Sequence, residues 1–395
     1  MNNQFSLKSQ GISASITLAI DAKAKKMKTD GEDVISFSIG EPDFKTPENI
    51  RQAAKMAIEA GLTGYTAASG LPILKEAICE KLKNDNQLEY RPENIVVSNG
   101  AKHALFNALQ AICNPGDEII IPIPYWVSYP ELVKLADAVP VYVETFEKDD
   151  FKCKKESILA AITPKTKGII LNSPNNPTGT VYAEADLQAI MAIAVKYNLY
   201  VISDEIYEKL IYQGKHISIA SMNRQIKDLT IVVNGMSKCY AMTGWRIGYA
   251  ACNKEIARIM GNIQSHMTSN PNTIAQYASI EALKGDQTSV GEMAAAFAKR
   301  RELMVEKINS IKFLSCRKPN GAFYVMVNIS EIIGKKFKNV QINNSFDFAD
   351  YLLEHAEVAV VPGSGFGADN YIRLSYAVSL EDINKGLAQI AKALD

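Results

Sequence analysis

Short β-branched runs recur through the middle of the chain, separated by segments whose apolar positions repeat at helical spacing. The runs are Ile95–Ser98, Glu118–Ile123, Val139–Val143, Gly168–Leu171, Leu199–Ser203, Thr230–Val233 and Arg246–Ala251. Helix-period segments lie at Ala101–Cys113, Trp126–Ala136 and Ala183–Tyr197. Strand–helix alternation of this kind predicts an α/β fold with a mostly parallel sheet covered on both faces. Ligands of such sheets sit in loops beyond the carboxyl ends of the strands, so the residues just after each run are the first places to look for chemistry.

The pattern changes near residue 285. A long helical stretch, Val290–Asn309, leads to strand-like segments at Gly321–Asn328 and Tyr371–Ala377, with helices at Ser345–His355 and Leu380–Leu394. This reads as a smaller α+β domain. Residues 47–285 form the expected large domain, and 1–46, with a helical piece at Leu18–Lys28, join 286–395 in the second.

Composition narrows the classes. Of 395 residues, 47% are hydrophobic and 22% charged, which excludes a disordered chain. Lys+Arg and Asp+Glu both number 43, so no basic excess points to nucleic acid. The apolar runs are strand-length, far short of the ~18 residues of a membrane span, and Met1–Gln10 has no long apolar region of a signal peptide. Six cysteines without a C-x-x-C pair read as free thiols of a cytoplasmic protein, and four histidines without ligand spacing argue against a metal site.

The sharpest chemistry lies in Gly235-Met-Ser-Lys-Cys-Tyr-Ala-Met-Thr-Gly-Trp-Arg-Ile-Gly248, directly after a predicted strand. Lys238 stands among small and apolar residues, where a lysine loses water, lowers its pKa and can form a Schiff base with a carbonyl. Arg246, eight residues on, suits bidentate phosphate binding. Asp204 follows the run Leu199–Ser203; its residue type also suits a helix cap. Ser98-Asn-Gly-Ala-Lys102 opens a predicted helix, whose free amides suit a phosphate. Arg373 interrupts the otherwise apolar Tyr-Ile-Arg-Leu-Ser-Tyr and, if buried, needs an anion. Gly363-Ser-Gly-Phe-Gly367 leads into a strand rather than a helix, so it reads as a flexible loop near the substrate and not as a dinucleotide fingerprint.

Five spaced segments, together with the Lys238 segment, resemble the class I pyridoxal-phosphate-dependent aminotransferases. They are Gly40-Glu-Pro-Asp, Tyr125-Trp126, Asn175-Asn-Pro-Thr-Gly179, Ser203-Asp-Glu-Ile-Tyr207 and Arg373-Leu-Ser-Tyr376. Within that family the chain is most similar to the bacterial aspartate aminotransferases, some of which also use prephenate. The resemblance implies fold type I, pyridoxal 5′-phosphate as cofactor, amino acid and oxo acid substrates, and a homodimer with shared sites.

The resemblance also implies roles. Lys238 carries the cofactor and moves the proton. Asp204 pairs with the pyridine nitrogen, and Asn176 and Tyr207 address the ring's 3-oxygen. Gly100, Ala101, Lys102, Ser237 and Arg246 hold the phosphate, joined by Tyr65 from the neighbouring subunit. Trp126 stacks on the ring. Arg373 binds the substrate α-carboxylate, in a site shared with Gly40, Trp126 and Asn176. Many aspartate aminotransferases bind the second carboxylate with a further arginine, but the corresponding stretch here, His266-Met-Thr-Ser-Asn-Pro271, has none. Ser15, Thr17 and Lys102 stand where the bacterial branch has its own donors, with Thr268 or Ser269 as additions from the partner. Ser15 and Thr17 could equally cap the helix that follows them.

The expected reaction is ping-pong transfer of the amino group of aspartate to 2-oxoglutarate. The alternatives are an aminotransferase for aromatic or alanine-type amino acids, and a carbon–sulfur lyase on the same fold, since fold does not fix reaction. A transcriptional regulator that keeps this domain for ligand binding would need an added N-terminal DNA-binding domain; the resemblance begins within the first twenty residues and leaves no room for one.

Overall fold

A computed structural model describes residues 5–395. Seven strands build the central sheet: β1 (Ile95–Ser98), β2 (Glu118–Ile123), β3 (Val139–Glu144), β4 (Thr166–Asn172), β5 (Tyr200–Asp204), β6 (Thr230–Gly235) and β7 (Gly248–Ala251). Their order is β1-β7-β6-β5-β4-β2-β3, with β7 antiparallel to both neighbours and the rest parallel. Central strands such as β5 and β6 are almost continuously buried, as a sheet covered on both faces requires. Helices Ala101–Ile112, Ser128–Leu135 and Lys254–Met267 close one face through Leu105, Leu109, Val133 and Met260. Helices Glu184–Tyr197 and Arg224–Leu229 close the other through Leu187, Ile190 and Ile226.

A second, antiparallel sheet has the order β10-β11-β9-β8, from β8 (Ser315–Cys316), β9 (Tyr324–Asn328), β10 (Val361–Pro362) and β11 (Tyr371–Ser375). Helices Thr288–Ser310, Ser345–Ala356 and Leu380–Leu394 pack on it around Phe297, Phe348 and Ile390. The N-terminal strand Ile35–Ser36 pairs in parallel with Val358–Ala359, and the Ser375 amide donates to the Phe37 carbonyl. Those bonds bring Ser38–Gly40 against the end of β11.

The α/β expectation is met, with differences at several boundaries. Arg246 is not in β7: it precedes the strand with φ 58°, a left-handed conformation that ends the short turn Thr243–Trp245. Trp126 lies in the turn before its helix, not inside it. Thr17 lies inside the first long helix, Ile16–Thr29, with Ser15 at its N-cap position. Helices Glu48–Glu59, Pro72–Asn86, Lys254–Met267 and Thr273–Lys284 had no counterpart in the sequence reading. The glycine-rich segment 363–367 forms a 3-10 turn rather than a loose loop, because the Ser364 amide bonds the Ser345 hydroxyl and Phe366 is fully buried.

Candidate active site

The carboxyl ends of β1, β2, β4, β5 and β6 open into one cavity of about 450 Å³. The turn after β4 contributes Asn176, β5 ends in Asp204, and Tyr207 follows it. Ser237 and Lys238 follow β6, and Trp126 follows β2. Ala101 and Lys102 start the helix after β1. Arg373 enters from β11, and Gly40, Ser15 and Thr17 from the N-terminal segment. One residue expected here from this chain, Gly100, does not line the cavity: it lies behind it against Arg246. Tyr65, Thr268 and Ser269, expected to act in the partner's site, are exposed, Tyr65 to 91%.

Asp204 is 4% exposed. It accepts from the Tyr129 hydroxyl at 2.7 Å and from the Ile206 amide at 3.3 Å, and no cation bonds it among the described residues. Burial therefore pushes its carboxyl up to about 6, against the downward pull of the Tyr129 and Ile206 bonds. The Asn172 amide donates to the Asp204 carbonyl, and the Asn172 side-chain oxygen accepts from the Asn176 amide, so the ends of β4 and β5 are tied together.

Lys238 donates to the Gly40 carbonyl, and its ammonium lies 5.8 Å from the ring centres of Tyr207 and Phe323. Loss of water brings its pKa down to about 8; Glu41 opposes the shift, while Arg373 and Arg246 reinforce it. The shift leaves a minority of the amine uncharged near neutral pH, far more than an ordinary lysine would have, and the uncharged form is what a nucleophile or proton carrier requires.

Arg373 is 2% exposed. Its two terminal nitrogens donate to the Asn176 side-chain oxygen at 3.1 Å and to the Ser38 carbonyl at 2.8 Å, and its Nε has no partner among the described residues. Its guanidinium lies over the rings of Tyr324 at 4.4 Å and Phe366 at 5.1 Å. A buried cation held only by neutral groups is a receptor for an anion.

Behind Ala101 and Lys102 the packing leaves no spare room. A side chain at Gly248 would bring a Cβ to 2.2 Å from the Ala101 amide nitrogen, and one at Gly100 would meet the Arg246 guanidinium at 2.4 Å. Gly100 also has φ +85°, a region open to glycine. The amides of His103 and Ala104 bond the Gly100 carbonyl, so those of Ala101 and Lys102 are the unpaired donors of the first turn. Among the described residues, Arg246 bonds only the carbonyls of Thr243 and Asn99. Trp126 stands edge-on to Tyr129 with ring centres 5.4 Å apart, and the Lys102 ammonium lies 4.9 Å over it.

At the mouth, the Ser15 and Thr17 hydroxyls lie 2.9 Å apart. Ser15 makes no capping bond to the helix, so the capping role open from sequence is not the one it performs. Sequence reasoning missed Tyr129, Asn172 and Tyr324, all of which line the cavity. The Tyr324 hydroxyl lies 3.0 Å from that of Tyr207. The signal in the sequence was only a tyrosine in an apolar run, which core packing explains equally well.

Residues 32–390 match the family described as aminotransferase class I and II. The chain is 52% identical over 381 residues, 96% of each chain, to an aspartate aminotransferase of Bacillus sp. (strain YM-2). It is 44% identical over 389 residues, 98% of each, to an aspartate/prephenate aminotransferase of Nitrosomonas europaea. Among solved structures, the aspartate aminotransferase of Thermus thermophilus with maleate superposes with a TM-score of 0.94 at 42% identity, covering 99% of this chain and 100% of that one.

Proposed function

Because the chain belongs to the class I and II aminotransferases, a family of enzymes that transfer amino groups, we propose that it moves the amino group of aspartate to 2-oxoglutarate with pyridoxal 5′-phosphate as cofactor. The observation that carries the reading is Arg373: a buried cation without an anion, in the same cavity as the low-pKa Lys238. Relatives named for aspartate, and a structural neighbour described with maleate, a dicarboxylate, support a dicarboxylic substrate.

The residues present fit the cofactor. Asp204 is a buried carboxylate lacking a cation, the complement of a protonated ring nitrogen. The cramped turn at Gly100, the free amides of Ala101 and Lys102, Ser237 and the carboxylate-free Arg246 suit its phosphate. Asn176 gives its oxygen to Arg373, which leaves its amide nitrogen, with the Tyr207 hydroxyl, for the 3-oxygen. Trp126 flanks the ring. When bound, pyridoxal phosphate supplies an aldehyde that condenses with amines and a ring that takes up the electron pair left when Cα loses its proton.

The chain's own residues do the rest. Arg373 binds the α-carboxylate through its fork, with Gly40 beside it, and so aims the Cα–H bond. Lys238, largely stripped of water, would take the proton from Cα onto its Nζ, the group that carries it through the amino transfer. Tyr324, Trp126 and Tyr129 wall the cavity and exclude water. Ser15, Thr17 and Lys102 hold the distal carboxylate at the mouth. That hydroxyl-lined end also suits prephenate, whose ring carries a carboxylate.

We assign residues 47–285 to a cofactor domain, and 1–46 with 286–395 to a smaller one, a division supported by two separate sheets, although Ile206, Tyr207 and Leu210 of the first pack into the core of the second. The proposed active form is a cytoplasmic homodimer. Tyr65, exposed near other exposed apolar residues such as Met56 and Leu62, then reaches the partner's phosphate. The six cysteines are unpaired, and no described helix is long and apolar enough to cross a membrane.

The test is a half-reaction followed by absorbance. Aspartate should convert the bound cofactor to its amine form with release of oxaloacetate, and 2-oxoglutarate or prephenate should reverse it. Pyruvate and ammonia released from cysteine conjugates, without that conversion, would instead make the protein a carbon–sulfur lyase.

A further inference from the structure

The end of β5 and the strip that follows it have two faces. Asp204 and Tyr207 face the cavity. Glu205 and Glu208 face away, into a buried network that the amino-transfer chemistry above does not use. Glu205 is 1% exposed. One of its oxygens accepts from the hydroxyls of Ser203 at 2.9 Å and Ser218 at 2.6 Å, and the other lies 2.9 Å from the His216 Nε2. Glu208 pairs with Lys81 and accepts from the Asn86 amide at 2.8 Å.

Glu205, Glu208 and His216 bring their ligand atoms within 4.8 Å of one another. They do not make a metal centre, because the cation is already present: the Lys81 ammonium sits on Glu208. Lys81 holds Glu208 at about 2, outweighing the upward push of burial. Among the described residues, His216 is the only side chain within bonding distance of Glu205 that can carry a positive charge. Burial pulls the His216 pKa down, but Glu205 and Glu208 outweigh it and raise it overall, against a smaller opposing effect of Lys81. Asp85, Lys209, Lys215 and Glu184 share the second cavity beside His216; Lys209 is already paired with Asp85. The phenols of Tyr90 and Tyr249 also feel Glu205.

Glu205 is the immediate neighbour of Asp204, and its charge raises the Asp204 pKa. We propose that His216, acting through Glu205, is a positioning residue for amino transfer: its ring bonds the carboxylate behind Asp204 and, when protonated, offsets that charge, so that Asp204 stays ionised against the cofactor's ring nitrogen. The inference rests on the amino-transfer reading and adds to it a residue outside the cavity, on the far side of the sheet segment that carries Asp204.

The experiment compares wild type, H216Q and E205Q/H216Q as cofactor-loaded enzymes, by the pH midpoint of their visible absorbance. His216 is followed separately by ring-proton NMR in wild-type apoprotein. H216Q keeps a hydrogen-bond donor of similar reach and removes the charge. Its midpoint should rise by about one pH unit, because an uncancelled carboxylate favours every protonated group in the site. Its kcat should fall about tenfold, the rate equivalent of one such unit, with little change in KM for aspartate. E205Q/H216Q, with both charges gone, should return the midpoint toward wild type. Wild-type His216 should titrate above the ordinary 6.5. An H216Q midpoint equal to wild type, or one that the double variant does not restore, would overturn the proposal. So would a wild-type His216 that titrates at or below 6.5, and this measurement decides alone if H216Q does not fold. Wild type that fails to transaminate aspartate would overturn the amino-transfer reading instead, a separate result from the His216 titration.

Discussion

The floor and the mouth of the cavity are built on different principles. At the floor, Asp204, Asn176 and Arg373 are buried, and each is tied to neighbours from other strands or loops. At the mouth, the Ser15 and Thr17 hydroxyls are half-buried, and Lys102, Lys25 and Glu41 are exposed. Charges at the floor act through a medium with little water, where a lost partner is costly. Charges at the mouth are screened, and each is worth little. The floor is therefore suited to chemistry common to many amino acids. The mouth is suited to choosing among substrates, where a modest difference in contact energy is enough.

That contrast orders the effects of substitution. The largest belongs to Lys238, which serves as both attachment point and proton carrier. Lys238→Ala should retain cofactor through the phosphate contacts and lose about 10⁴-fold in kcat, the upper end of general acid–base catalysis. Borohydride reduction and peptide mapping of the wild type should label Lys238, and a label on another lysine would remove the floor's central residue. Next comes Asp204→Ala, which breaks one side of a buried charge pair. Such losses run to about 3–5 kcal/mol, or about two to four decades in kcat. A variant within about threefold of wild type would mean that the floor is no more demanding than the mouth.

At the mouth, Lys102→Ala should lower kcat/KM for aspartate about tenfold more than for an uncharged amino acid, equivalent to a contact of ~1.4 kcal/mol. Equal losses for both substrates would assign Lys102 to the phosphate alone and leave specificity to Ser15 and Thr17.

The last effect is thermodynamic rather than kinetic. The Asp204 carboxyl titrates near 6 in the folded apoprotein, against an ordinary 3.8. Between those values the folded state binds more protons than the unfolded one, so Asp204 lowers apoprotein stability as pH rises from about 4 to 6. Denaturant titrations of apoprotein should show this slope, and Asp204→Asn should flatten it. Cofactor binding should raise Tm more at pH 7 than at pH 5, because the ring nitrogen provides the missing cation. A slope unchanged in Asp204→Asn would place the titration on another group.

Legibility in the sequence followed the same division. Lys238 and Asp204 could be found because each lies within three residues of a strand end, and strand periodicity is a local signal. Ser15, Thr17 and Lys102 were nameable only by resemblance, since hydroxyls before a helix look like caps. Tyr129 and Tyr324 were missed because an aromatic in an apolar run reads as core, and only its hydroxyl partner reveals another use. Helix Lys254–Met267 was missed although its apolar residues repeat on one face; that face ends in Gln264, a polar side chain that bonds the Ala68 and Val97 carbonyls and the Ser98 hydroxyl.

The sequence by itself determined the alternation of strands and helices, the loops after strands where chemistry belongs, and the lysine and aspartate that stand in them. These follow from interactions within a few residues, whose geometry is set by backbone periodicity. Only the tertiary structure decided that Arg373 meets Asn176, 197 positions away in the chain, that Gly248 makes room for the turn at Gly100, and that His216 closes the charge on Glu205 behind Asp204. Such contacts depend on which strands become neighbours and which faces they turn to each other. That outcome is set by the burial of the whole core, and no short stretch of sequence encodes it.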